Sequence, residues 1–138
     1  MKRVLLDTNI ILDVLLNRTE FLESSSAVLK SLLKRKYRGF VAATTLTNIN
    51  YIVRKATGKT ETALLAVDKT LEWCEVALVN RKVLDEARFA NMQDFEDAVQ
   101  AAAAKNCGIN TVVTRDKLGF QNSGLRVFAP EEFLVTEE

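Results

Sequence analysis

Three aspartates in this chain stand where apolar runs stop. Asp7 closes RVLLD, Asp116 follows NTVVTR, and Asp97 sits in QDFEDAVQAAAA behind Asp94 and Glu96. A short aliphatic run of this kind reads as a strand buried on both faces, inside which a charge is costly. Asp7 and Asp116 therefore belong at strand ends, where water or a cation reaches them. In open α/β sheets functional groups gather outside the carboxyl ends of the strands, so both carboxylates should emerge on one edge. Carboxylates that converge without a nearby lysine repel one another unless they are partly protonated or bind a cation. Oxygen-only ligation suits Mg²⁺ or Mn²⁺, which keep several waters and readily accept phosphate oxygens. The chain has no histidine, which excludes Ser-His-Asp and Cys-His nucleophilic sites, histidine-ligated zinc and histidine acid/base chemistry.

The acidic pair at the start of DFEDAVQAAAA has two readings. Asp94 as N-cap, with Glu96 and Asp97 favoured by the helix dipole, needs no function at all. Asp94 and Asp97 are also three apart and share a helix face, and the small apolar run beyond them can pack tightly on a sheet. Asp94 is accordingly assigned mainly to capping and Asp97 mainly to the site. Arg115 and Lys117 flank Asp116 and are, with Arg54, candidates for steadying a substrate phosphate, against the plainer reading of exposed charge. The basic run LKRKYR at 33–38 reads as a solvated helix end rather than a nucleic-acid patch, and Trp73 and Phe95 read as core residues.

The elements that must position these groups alternate. Strands are expected at 3–7, 39–43, 75–79, 109–114 and 125–128, with helical patterns over 9–16, 20–36, 44–56, 60–73, 81–90 and 94–106. Short strands alternating with helices indicate an α/β sandwich around a mainly parallel sheet. A length of 138 residues, one proline, five glycines and no repeat suit one domain over 1–138 with no internal linker. The formal net charge of +1 gives no global attraction to nucleic acid or to an anionic membrane, so contact with either must be local. Cys74 and Cys107 suggest no disulfide framework and read as buried thiols of a reducing cytoplasm. The N-terminal apolar run is broken by Asp7, Asn9 and Asp13 and lacks a small-residue cleavage site, and no run approaches a membrane span.

LLDTNIILDVLL, TTLTNINYIVRK, DFEDAVQAAAA and VVTRDKLGF, in this order over nearly the whole chain, resemble the PIN domain, the fold of VapC-type ribonuclease toxins. The resemblance implies a three-layer α/β/α sandwich with a mainly parallel sheet of about five strands. It also implies a quartet of acids that binds one or two divalent cations, Mg²⁺ or Mn²⁺, and hydrolyses single-stranded RNA. Carried over by residue, it makes Asp7, Asp97 and Asp116 both catalytic and metal-binding, with Thr8 and Asn9 orienting Asp7, and Asp94 and Thr114 as further polar supports. It implies RNA as substrate, an antitoxin protein and a second copy of the chain as partners, and a cytoplasmic location without membrane contact.

One position departs from the pattern. Where many members carry Glu or Asp, this chain has Asn48, whose amide oxygen can ligate but brings no charge and cannot act as a base. Weaker metal binding follows. A catalytically silent PIN-like module that binds RNA or a protein partner is therefore a rival reading, and Asn48 is the feature that favours it. A phosphatase with an aspartate nucleophile is a second rival; such chemistry usually wants another acid two residues on, where Asn9 stands.

Overall fold

A computed structural model describes residues 2–34 and 36–136. Five short strands, β1 (Lys2–Leu6), β2 (Tyr37–Ala42), β3 (Glu75–Ala77), β4 (Thr111–Val113) and β5 (Arg126–Phe128), form one parallel sheet in the order β3-β2-β1-β4-β5. The helices α1 (Thr8–Leu15), α2 (Leu22–Leu33), α3 (Ala43–Thr57), α4 (Thr60–Trp73), α5 (Arg81–Arg88), α6 (Phe95–Asn106) and α7 (Pro130–Thr136) connect the strands or follow them. All the expected strands and helices are present, with ends shifted by a few residues.

The two faces of the sheet bury different layers because side chains alternate along a strand. Val4, Leu6, Val41 and Val113 pack with Ile10, Ile11, Val28, Ile49 and Phe133 on one side, whereas Leu5, Phe40, Ala42 and Val112 pack with Val83, Ala87 and the alanines of α6 on the other. Ala98, Ala101, Ala102, Ala103 and Ala104 are all buried, and their small size lets α6 lie close to the sheet. Chain direction across the sheet reverses between β1 and β4, the place where parallel sheets open a crevice at their carboxyl ends. Asp7 and Thr114 begin the loops on either side of that crevice, and the Asp7 N–H donates to the Val113 carbonyl at 3.0 Å.

Four expectations need correction. The helix expected over 20–36 is α2 and ends at Leu33; in the basic run that follows, Arg35 lies outside the described residues. Tyr37 is buried in β2 with its ring edge-on to Phe133 at 4.8 Å and its hydroxyl donating to the Val28 carbonyl, so the run has no exposed aromatic at that position. Phe95 is half exposed rather than core, whereas Trp73 packs on the core margin. Cys74 is buried, with burial pushing its thiol up to about 12, but Cys107 is only partly covered. α7 had no sequence counterpart, because this short helix begins at Pro130, which reads as a break. No helix among the described residues is long and apolar enough to cross a membrane.

Candidate active site

Asp7 is the centre of the site. It is 5% exposed at the end of β1, held there because the apolar residues before it fill the sheet and α1 starts immediately after it. Thr114 Oγ1 donates to its Oδ2 at 2.8 Å, and Gln100 Nε2 donates to its Oδ1 at 3.2 Å. Burial raises the Asp7 carboxyl above its ordinary value; the bonds from Thr114, Gln100 and the Thr8 N–H pull the other way, and the Asp116 charge adds to the rise. Burial thus outweighs three donors, as expected for a carboxylate facing no cation.

Asp97 reaches the same place from α6. Asp94 is its N-cap, accepting from the Asp97 N–H at 2.9 Å, which leaves the Asp97 side chain free to turn inward. Gln100, one turn further on, also contacts Asp97 Oδ1 at 3.4 Å, so one amide spans two carboxylates. The Asp97 carboxyl is pushed up to about 7, by burial first and then by the charges of Asp7, Asp94, Asp116 and Glu96. Asp116 completes the group: its N–H donates to Thr114 Oγ1 at 2.9 Å, so Thr114 links Asp7 to the loop carrying Asp116. Gly119 then folds back over both acids. Its N–H donates to Asp116 Oδ1 at 3.1 Å, and a Cβ there would lie 2.7 Å from Asp116 Oδ2 and 2.7 Å from Asp97 Oδ2. Only a residue without a side chain fits that approach undisturbed.

Several expected supports are engaged elsewhere. Thr8 reaches Asp7 through its backbone N–H, while its hydroxyl pairs with Thr45 at 2.9 Å. Asn9 accepts from Arg18 and makes no hydrogen bond to Asp7. Arg115 does not point to the acids: it grips the fully buried Asp13 through two bonds of 2.9 and 3.1 Å and stacks on Phe21 at 3.8 Å. Lys117 pairs with Glu132 at 3.0 Å, and Arg54 is exposed in the last turn of α3. Asn48 is half-buried on α3 and faces Glu96, whose carboxyl is raised by burial and by the Asp94 and Asp7 charges and lowered by the Asn48 side chain. Gln100 went unread in the sequence. The signal was available as the one polar residue in AVQAAAA, three residues after Asp97 and therefore on its face.

Among the described residues, no ion pair reaches Asp7, Asp97 or Asp116. Among the described residues, no three acidic side chains are close enough together to grip one ion as they stand. The donor chemistry nevertheless fits a hard cation. The side chains offer oxygen, and two buried oxygens have no partner: Gln100 Oε1, on the amide between Asp7 and Asp97, and Thr44 Oγ1, at the start of α3. Buried polar atoms are normally satisfied, so these two call for a ligand, water or ion.

A family model described as PIN domain matches residues 3–118. The chain belongs to the PIN domain family. A comparison with curated proteins finds no match. Solved structures share the PIN fold: VapBC2 from Rickettsia felis bound to a promoter DNA fragment matches with TM-score 0.70 and 19% identity over 92% of this chain and 98% of that one. DNA-bound VapBC from Salmonella typhimurium matches with TM-score 0.68 and 21% identity over 94% and 99%. The sarcin-ricin-loop-cleaving toxin VapC20 from Mycobacterium tuberculosis matches with TM-score 0.62 and 16% identity over 79% and 86%.

Proposed function

We propose that this PIN domain is a divalent-cation-dependent endoribonuclease that cleaves single-stranded RNA, acting as the toxin of a toxin–antitoxin pair. The observation that carries the reading is the buried Asp7, fixed by Thr114 and Gln100 beside Asp97 and Asp116, with no ion pair to these acids among the described residues. Asp7, Asp97 and Asp116 would hold Mg²⁺ or Mn²⁺. When bound, the cation neutralises the scissile phosphate and makes water a better nucleophile. The protein's share is positional. Thr114 and Gln100 fix Asp7, Asp94 fixes the start of α6 and hence Asp97, and Gly119 leaves room for both outer carboxylates. No protein nucleophile is needed. VapC20 cleaves an RNA loop, and the Rickettsia and Salmonella neighbours are VapBC assemblies, which supports an RNA substrate, an antitoxin partner and a cytoplasmic setting for this chain.

The neutral Asn48 favours a second reading, a silent module that binds RNA or a protein without cleaving. Incubation of purified protein with single-stranded RNA separates the two. Cleavage with Mn²⁺, abolished by EDTA and by Asp7→Asn in a variant that stays folded, is the expected result. Equal cleavage by wild type and Asp7→Asn overturns the proposed site, and RNA binding without cleavage establishes the silent module.

A further inference from the structure

We infer that Arg115 is a positioning residue, which through its clamp on Asp13 fixes the loop carrying Asp116 and so sets where that acid stands relative to Asp7 and Asp97. The inference rests on the cation-dependent reading above and deepens it. Asp7 closes a strand and Asp97 opens a helix, so regular elements hold both backbones. Asp116 has no such support. It lies three residues beyond β4, before the single 3₁₀ turn Leu118–Phe120, and is exposed. Its bonds from its own N–H to Thr114 Oγ1 and from the Gly119 N–H to its Oδ1 span two and three residues. They shape the turn but do not tie its outer part to the rest of the fold.

The tie runs through Arg115. Its Nε donates to Asp13 Oδ2 at 2.9 Å and its Nη2 to Oδ1 at 3.1 Å, the two-pronged grip that a planar guanidinium makes on a carboxylate. Asp13 is itself fixed, being fully buried on α1 and taking a further bond of 2.9 Å from Ser25 Oγ on α2. Phe21, the residue before α2, lies against the guanidinium at 3.8 Å, so the arginine is held on its face as well as at its tip. A largely buried ion pair gives little net stability over well-packed apolar residues. What it gives here is direction. With Arg115 drawn to α1 and α2, the next residue is left at the crevice, where Asp116 Oδ2 and Asp97 Oδ2 both lie 2.7 Å from the point that a Cβ on Gly119 would occupy. The charge of Arg115 works the other way, since a guanidinium near the acids repels a cation. Position and charge therefore predict opposite effects of removing it.

Calorimetric titration of the metal-free full chain with Mn²⁺ separates the two without any assay of cleavage. Wild type is expected to bind and Asp7→Asn to lose binding. Arg115→Gln should weaken binding by about tenfold, the scale on which outer contacts act in metal sites, although it removes a positive charge. Arg115→Lys, which reaches Asp13 without the fork, should recover part of the affinity. Lys117→Gln removes the same charge from the other side of Asp116, out of an exposed pair with Glu132, and should bind at least as tightly as wild type. A second readout needs no metal: amide hydrogen exchange should quicken at Asp116 and Gly119 in Arg115→Gln while β1 and β4 stay protected. Folding is checked by circular dichroism, and if Arg115→Gln unfolds, the pair Asp13→Asn with Arg115→Gln, which puts two amides in place of the ion pair, should show the same losses. If Asp7→Asn abolishes binding while a folded Arg115 variant binds as tightly as wild type, the clamp does not position Asp116 and the cation-dependent reading survives. Absence of Mn²⁺ binding by wild type overturns that reading and this inference with it.

Discussion

Asp97 shows how the site couples to folding. Its carboxyl ionises near 3.8 when free and at about 7 in the fold, with burial the main cause and four acidic neighbours adding to it. At low pH the group is neutral in both states and costs nothing. As pH rises from 3.8 toward about 7 the unfolded chain loses this proton before the folded one does, so stability falls through that window and the cost is complete above it. In EDTA, Asp97→Asn should therefore gain stability relative to wild type as pH rises across the window, measured by urea unfolding at several pH values. A difference that stays flat with pH would show that Asp97 ionises freely and lies outside the cluster. Asp7 and Asp116 could be singled out in the sequence because each follows an apolar run, and Asp97 because it opens the small apolar run AVQAAAA. Gln100 went unread although its spacing of three from Asp97 puts it on the same helix face, since a lone amide in an alanine-rich helix also reads as a solvated side chain. Arg115 was misread for a related reason: its partner Asp13 is 102 residues away, and nothing local distinguishes a bound arginine from a free one.

At the scale of elements, that Asp13–Arg115 contact joins the beginning of the fold to its functional loop. Asp13 is fully buried on α1 and takes bonds from Ser25 on α2 and from Arg115 after β4, with Arg18 at 3.4 Å. The residue after Arg115 is Asp116, so the clamp holds the backbone that carries one of the acids. Asp13→Ala removes a buried carboxylate and leaves two guanidinium groups that water still reaches in part, at 31% and 26% exposure, a loss of roughly 1–3 kcal/mol. Urea unfolding measures it; a loss within experimental error would mean that Arg115 finds water easily and that the clamp is not structural. Helical periodicity made the helices from α1 to α6 readable from sequence, and β-branched runs did the same for the strands. The loop from Thr114 to Phe120 was not readable, because its shape depends on Oγ1 of Thr114, the Gly119 turn and the distant Asp13 rather than on any pattern of hydropathy.

Over the whole molecule, the apolar residues that remain outside are unevenly placed. The apolar helix at 9–16 is covered within the domain, since Ile10, Ile11 and Leu12 are buried. The helix at 44–56 behaves differently: with α4 it forms a hairpin whose outer surface carries Tyr51 at 53%, Leu64 at 54% and Leu65 at 59% exposure, while Ala63 and Ala66 on either side of the leucines face inward. Two leucines this open on α4, beside an open tyrosine on α3, are better explained by a covering partner than by solvation, and a second copy of the chain is the proposed occupant. The protein is expected to be a dimer by multi-angle light scattering at micromolar concentration. Glu replacing both leucines, as Leu64→Glu with Leu65→Glu, should shift it to monomer, because two added charges per copy would meet across a symmetric contact. These positions are already exposed, so the fold should survive and the far-ultraviolet circular dichroism should not change. The hairpin includes Asn48, yet Leu64 and Leu65 lie on α4, away from the residues that gather around Asp7, so Mn²⁺ affinity should also be unaltered. Wild type that is monomeric across this range, or a variant that stays dimeric, would remove this surface as the site of pairing and leave the acidic crevice untouched.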